Sequence, residues 1–229
     1  MSIITVERKV LEKNDEIARR NRAMFAQRQL FVINLVSSPG SGKTSILERT
    51  LEYFNKRVKV AVIEGDVQTD FDAQRIARYE APVVQIVTNG GCHLDAKLVE
   101  DALRSLDLDG VKLLIIENVG NLVCPSNYDL GEAMKVVVAS TTEGDDKPLK
   151  YPAMFQNASV LIMNKVDLLP YVNCDLNALR NNALKINPSL KVFETSCTTK
   201  SGIAEWCSWL EQNIQPEVGG GAHVGATRR

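Results

Sequence analysis

The sequence predicts an α/β fold, a mostly parallel sheet of about seven strands with helices on both faces. Three observations carry it. From residue 30 onward, short apolar runs alternate with amphipathic stretches, as in successive βαβ units. The runs are continuously apolar and β-branched rather than alternating, which marks strands covered on both faces. The first run leads directly into a Gly-rich turn, Ser37-Ser38-Pro39-Gly40-Ser41-Gly42-Lys43-Thr44, ahead of a helical pattern.

In chain order, residues 1–28 form an N-terminal helical extension. Val6, Val10, Leu11, Ile17, Ala18, Met24 and Phe25 recur at partly helical spacing among Glu, Arg, Lys and Asn, predicting one or two amphipathic helices before the sheet. Strands are expected at 30–36, 58–63, 83–87, 111–116, 134–139, 160–163 and 191–194, and helices at 45–55, 71–79, 94–105, 175–186 and 202–214. Together they make one domain over 29–215. The Gly-rich stretch 216–229 lacks apolar periodicity and is expected to be disordered, with His223 solvated.

Composition bounds the function. A chain of 229 residues, 45% hydrophobic, suits a single domain with a sizeable core. The 27 Lys and Arg against 28 Asp and Glu give no electrostatic case for nucleic acid or an anionic membrane. No apolar run approaches the roughly 20 residues of a membrane span. Charged residues fill the start of the chain where a signal peptide needs an apolar region. Five Cys without a compact framework, beside a phosphate-binding loop, predict reduced thiols or metal ligands and a cytoplasmic protein.

The turn at 37–44 has the chemistry of a phosphate-binding loop. Between strand and helix, successive backbone N–H groups converge where the helix dipole also favours negative charge. Ser38, Pro39, Gly40, Ser41, Gly42, Lys43, Thr44 and Ser45 are the expected cradle, Lys43 reaching the β- and γ-phosphates and the Thr44 hydroxyl a Mg²⁺ ion. Ser37 replaces the first Gly of the usual pattern, which leaves the backbone at that residue in question. Acidic residues at strand ends suit the same hard cation, so Asp66, Asp72 and Glu117 complete its shell, with Asp70 equally readable as a solvated loop acid. Lys43, Asp72 and Glu117 are the catalytic candidates, and Gly120 offers its N–H towards the γ-phosphate as the trigger of a switch segment.

After the sixth run comes Asn164-Lys165-Val166-Asp167, an N-K-x-D sequence of the kind that reads guanine in GTPases. A carboxylate at 167 accepts from the ring N–H and the exocyclic amine of guanine, a donor pair that adenine lacks. The Asn164 amide can reach the base edge and the loop, and the Lys165 stem can pack along the ring. Ser196 and Cys197 follow the last strand, where backbone groups touch the base. GTP or GDP with Mg²⁺ is the expected ligand. No positioned glutamine or arginine finger stands out, so hydrolysis should be slow.

Two further segments exceed generic GTPase chemistry. Cys92 and His93 offer a thiolate and an imidazole in one loop, and Cys124 lies just beyond Gly120. Such ligands suit Zn²⁺ or Ni²⁺. Adjacent ligands rarely both reach one ion, and three leave a tetrahedral site open, which a symmetric pair of chains would fill by pooling ligands.

The combination of 37–44, Gly91-Cys92-His93-Leu94-Asp95, Glu117-Asn118-Val119-Gly120-Asn121-Leu122-Val123-Cys124-Pro125, Thr141-Thr142-Glu143-Gly144-Asp145-Asp146 and 164–167 resembles the hydrogenase nickel-incorporation GTPases, the HypB family, of the SIMIBI class of P-loop GTPases. The resemblance covers residues 5–215. It implies a GTP-hydrolysing nickel metallochaperone for [NiFe] hydrogenase, with Cys92, His93 and Cys124 binding Ni²⁺ or Zn²⁺ at a homodimer interface. It also implies a HypA-like nickel-binding accessory protein and the hydrogenase large subunit as partners. Leu168 and Val172, after the guanine motif, are then dimer-contact candidates. The 141–146 acidic loop could orient Lys147 or simply be solvated. The N-terminal Cys-x-x-Cys-x-Cys and His-rich stretches of some relatives do not occur in these residues. Two rivals remain at this point: a urease accessory-type GTPase, which reads Cys-Pro-His at the metal loop, and a small-molecule P-loop kinase with structural cysteines.

Overall fold

The computed structural model describes residues 6–55, 57–67 and 75–214, so Asp70, Asp72, His223 and the stretch 216–229 lie outside it. The expected N-terminal helices are one, α1 (Val6–Gln27), because 22 residues without Gly or Pro contain no breaker. The chain then runs through β1 (Phe31–Ser37), α2 (Lys43–Phe54), β2 (Val60–Asp66), β3 (Val83–Val87), α3 (Ala96–Leu103) and β4 (Leu113–Glu117). It continues with β5 (Met134–Ser140), α4 (Lys147–Lys150), α5 (Pro152–Gln156), β6 (Val160–Asn164), α6 (Leu176–Ile186), β7 (Lys191–Glu194) and α7 (Ile203–Ile214). Of the helix expected at 71–79, a helical turn at 75–77 falls among the described residues.

The seven strands form one sheet in the order β3-β2-β4-β1-β5-β6-β7, and every pairing is parallel. Side chains alternate between two apolar layers. Ile33, Leu35, Val62 and Ile115 pack with Ile46, Leu47 and Phe54 of α2 and with Trp206 and Leu210 of α7. Val32, Ile63 and Ile116 pack on the other face with Phe25 of α1 and Val99 of α3. Trp206 is fully buried, and its indole N–H donates to Thr50 Oγ1 at 3.1 Å, so the ring brings its apolar area into the core without an orphaned donor.

Register brings the functional ends into line: Leu35 of β1 lies opposite Glu117 of β4, which lies opposite Glu64 of β2. The sheet changes its direction of winding at β1 and β4, and the loops leaving their carboxyl ends open a crevice, the ordinary place for a ligand in such sheets.

One glycine fixes the loop after β7. At Gly202 φ is +68°, and a Cβ there would lie 1.8 Å from the Glu194 carbonyl oxygen. Gly110 has the same φ of +68°, with only the Lys59 side chain near, at 3.9 Å. Gly110→Ala should therefore cost about 1–2 kcal/mol of backbone strain. Gly202→Ala should cost roughly 2–5 kcal/mol, because displaced backbone adds to that strain. Urea unfolding midpoints of the two variants check this; equal losses would show that the collision at Gly202 relaxes freely.

A nucleotide cleft and an adjoining metal cluster

Ser37 closes β1 with a buried side chain, and its φ is not positive; its hydroxyl donates to the Ser38 carbonyl at 2.6 Å. The position thus makes no demand for glycine. The left-handed turn falls instead at Gly40 (φ +76°) and Gly42 (φ +95°), the latter directly before α2. A Cβ on Gly42 would meet Asn164 Nδ2 at 2.5 Å, so the loop and the 164–167 segment touch where only glycine fits. Around this loop opens a cleft of about 480 Å³ lined by Gly40, Lys43, Thr44, Ser45, Asp66, Glu117, Gly120 and Lys165 among others.

Thr44 donates its hydroxyl proton to Glu117 Oε1 at 2.8 Å, and Lys43 Nζ is 3.8 Å from the same oxygen. Both Lys43 and Glu117 are buried, so their attraction is little screened by solvent. Asp66, half-buried at the end of β2, accepts from the Val67 N–H. A second lysine reaches the loop from the 141–146 region. Glu143 Oε2 accepts from the Ser140 N–H and the Ser41 hydroxyl, both at 2.9 Å, while its Oε1 lies 3.4 Å from Lys147 Nζ. Lys147 in turn donates to Ser38 Oγ at 3.0 Å. The acidic loop therefore holds a lysine against the phosphate loop rather than lying solvated.

The 164–167 segment is built into the cleft wall. Asn164 Nδ2 donates to the Ser41 carbonyl at 3.0 Å, and its Oδ1 accepts from Thr195 Oγ1 at 3.1 Å. With one N–H on the Ser41 carbonyl and the oxygen on Thr195, the buried amide braces the loop, and its second N–H is the donor left for the base edge. Lys165 adopts φ +62° and donates from Nζ to the Gly40 carbonyl at 2.7 Å. Asp167 follows, half-buried, in a short 3₁₀ helix at Val166–Tyr171 that includes Pro170. Leu168 and Val172 are partly exposed on or beside it, and Tyr171 is 82% exposed. The Ser196 N–H is spent on the Ser201 carbonyl, and the Cys197 carbonyl accepts from Arg49. Burial pushes the Cys197 thiol up to about 11, which keeps it protonated.

Cys92, His93 and Cys124 converge. Their ligand atoms all lie within 4.8 Å of one another, and Cys92 Sγ is 3.5 Å from His93 Nδ1. Adjacent residues manage this with the imidazole turning its nearer nitrogen, Nδ1, towards the thiol, while the left-handed turn at Asn89 (φ +51°) and Gly90 (φ +100°) lies just ahead of the pair. The His93 ring packs on Tyr128 at 4.0 Å between centroids. Burial lowers the His93 pKa, favouring the neutral, metal-binding imidazole, while a hydrogen bond with Cys124 and then burial raise that of the Cys92 thiol. Behind the cluster, the buried Lys135 ammonium donates to the carbonyls of Pro125, Ser126 and Tyr128 at 3.0, 3.1 and 3.1 Å.

A model of the CobW/HypB/UreG nucleotide-binding domain matches residues 31–194. Over 211 residues the chain is 53% identical to the hydrogenase maturation factor HypB of Azotobacter vinelandii, a match covering 92% of this chain and 69% of that one. The chain belongs to the HypB family. Among solved structures, its fold is similar to HypB from Helicobacter pylori in complex with nickel, with a TM-score of 0.83 and 38% identity over 88% of this chain and 95% of that one. The hydrogenase maturation factor HypB of Archaeoglobus fulgidus aligns with a TM-score of 0.84 and 36% identity over 89% of this chain and all (100%) of that one. This HypB-family chain thus carries the nucleotide-binding domain of a hydrogenase maturation factor. Among its described residues no helix is long and apolar enough to cross a membrane.

Four side chains in and around the sites were passed over in the sequence. Arg75 lines the cleft, held by both oxygens of Glu48; Tyr128 covers His93; Asn121 and Lys135 tie down the metal loops. Asn121 sat inside a motif already singled out. The other three carry no local pattern, because their partners are remote in sequence or backbone carbonyls.

Proposed function

We propose that the chain is a GTP-hydrolysing nickel carrier for [NiFe] hydrogenase maturation, in which nucleotide state sets the hold on the metal. The observation that carries this is the continuity of one segment. Glu117 stands in the nucleotide cleft and Cys124 in the metal cluster, and between them Gly120 lies against the phosphate loop, where a Cβ would be 3.1 Å from Pro39 Cα. A γ-phosphate seated on Lys43 must press on that contact.

In this reading Asp167 selects guanine, and Ser38 to Ser45 with Lys147 bind the phosphates. Thr44, Asp66 and Glu117 present the hard oxygen donors that suit Mg²⁺, which would neutralise phosphate charge; Asp72 is assigned to the same shell from sequence. Lys43 and Glu117 position the reacting phosphate, and with no glutamine lining the cleft among the described residues the turnover is slow. Cys92, His93 and Cys124 hold nickel or zinc, and pooling two such sets across a two-fold axis completes the coordination. Leu168, Val172 and the exposed Tyr171 belong to that homodimer contact. The nickel complex of the Helicobacter pylori relative supports the cargo. An accessory nickel protein and the hydrogenase large subunit are the partners, in the cytoplasm.

The test is the nickel affinity of the whole chain with GDP and with a non-hydrolysable GTP analogue. A coupling of about 1–3 kcal/mol appears as a 5–150-fold difference. Equal affinities would remove the proposed link between nucleotide and metal.

A further inference from the structure

The two loops that carry the metal ligands are joined by one side chain. Asn121 Nδ2 donates to the carbonyl of Cys92 at 3.2 Å, and Asn121 Oδ1 accepts from the N–H of Val123 at 2.9 Å. One amide therefore spans from the first thiol-bearing residue to the residue before the second. Asn121 directly follows Gly120, whose backbone packs on Pro39 of the phosphate loop.

The surrounding contacts show which parts are fixed. Leu94, next to His93, is fully buried, and its N–H donates to Asn118 Oδ1 at 3.0 Å. Leu94 also fills the space beside Gly65 of β2, where a Cβ would be 2.8 Å from its side chain. Asn118 is itself pinned in the core by its bond to Asn34 Oδ1 at 3.3 Å. Asp95 caps α3 by accepting from the Leu98 N–H at 2.8 Å. The His93 side of the cluster is thus anchored to the sheet on the far side of the ligands. Cys92 is attached through Asn121 to a segment that contacts the nucleotide loop and is itself only half-buried.

We propose that Asn121 is a positioning residue of the metal cluster, setting the approach of Cys92 to Cys124 and carrying displacement at Gly120 to both thiols together. This rests on the nucleotide–metal coupling proposed above for its second half only; the first half, the tie between the loops, stands on the structure alone. The chemistry is that of an outer-shell amide, which binds no metal but fixes the groups that do. A shift of Gly120 away from Pro39 draws the Cys92 carbonyl and the Val123 N–H with it, while Leu94 and Asn118 hold the base of the His93 loop.

Asn121→Asp is the discriminating variant. It keeps an oxygen for the Val123 N–H and replaces the donor facing the Cys92 carbonyl with a carboxylate oxygen that repels it. Asn121→Ala removes both bonds. The probe is Ni²⁺ alone, added to the whole chain with GDP and with a non-hydrolysable GTP analogue. The readouts are nickel affinity and the thiolate-to-nickel charge-transfer band; circular dichroism and fluorescent guanine-nucleotide affinity serve as folding controls. The expected result for Asn121→Asp is an affinity loss of about 10-fold and a shifted band, with nucleotide affinity retained. The ratio between the two nucleotide states should also collapse towards one. Parent-like nickel affinity, band and ratio in both variants would overturn the proposal. A parent without nucleotide dependence, together with a weakened and shifted Asn121→Asp, would refute the coupling yet confirm the tie. Loss of nucleotide affinity alongside nickel affinity would show a general structural role and refute it.

Discussion

Asp167→Asn is expected to weaken GTP binding by about 100- to 10,000-fold and to raise the affinity for xanthosine triphosphate. The carboxylate would accept two hydrogen bonds from guanine, each worth roughly 1.5–3 kcal/mol when one partner is charged. Tenfold in affinity is about 1.4 kcal/mol. An amide at 167 faces the donors of guanine with a donor of its own, whereas xanthine carries a carbonyl in place of the exocyclic amine and accepts from it. The braces around the residue survive the change, since Asn164 holds the Ser41 carbonyl and Lys165 the Gly40 carbonyl. Competition of GTP and xanthosine triphosphate for a fluorescent nucleotide measures both arms. An unchanged preference for GTP would show that other groups read the base.

Cys124→Ala should lower nickel affinity on the order of 100-fold, on the scale of four-ligand structural zinc sites, where about 10–16 kcal/mol amounts to roughly 3 kcal/mol per ligand. Guanine-nucleotide affinity should stay at the parent level. Cys124 opens a short 3₁₀ turn at Cys124–Ser126 whose shape is set by Lys135 and by the Ser126 hydroxyl on the Val123 carbonyl, not by the thiol. Equilibrium dialysis with Ni²⁺ and nucleotide titration on the same preparation separate the two effects. Loss of both together would make Cys124 a packing residue, and nickel binding at parent strength would place the metal elsewhere.

The strands were legible because a buried parallel sheet leaves an unmistakable run of apolar and β-branched residues. The ends were less so. β2 extends three residues beyond its apolar run, through Glu64, Gly65 and Asp66, because pairing with β3 and β4 continues where hydropathy has stopped. The short α4 and α5 escaped notice although Pro148 and Pro152 stand at helix starts, a known signal that four or five residues of amphipathic pattern are too few to support. In the site, residue types named the chemistry and spacing named the loops. What spacing could not convey was how a side chain is used. Asn164 braces the loop from a buried position, and neighbouring Cys92 and His93 converge through the imidazole Nδ1, which sits beside the Cys92 thiol. Contacts such as those of Asn121 to Cys92 and Lys147 to Ser38 join residues 29 and 109 positions apart, a distance over which local pattern carries no information.

A carrier works only if emptying it does not ruin it. Many metal-binding loops are shaped by their ion and collapse when it leaves. Here the turn behind Cys124 is gathered around the ammonium of Lys135, whose charge faces the half-buried Glu132 on the same strand approach. That internal cation is covalently part of the chain and cannot be chelated or handed on. In the proposed carrier role the pocket wall would therefore keep its form from one ion to the next, and reloading would begin from a mould already cast.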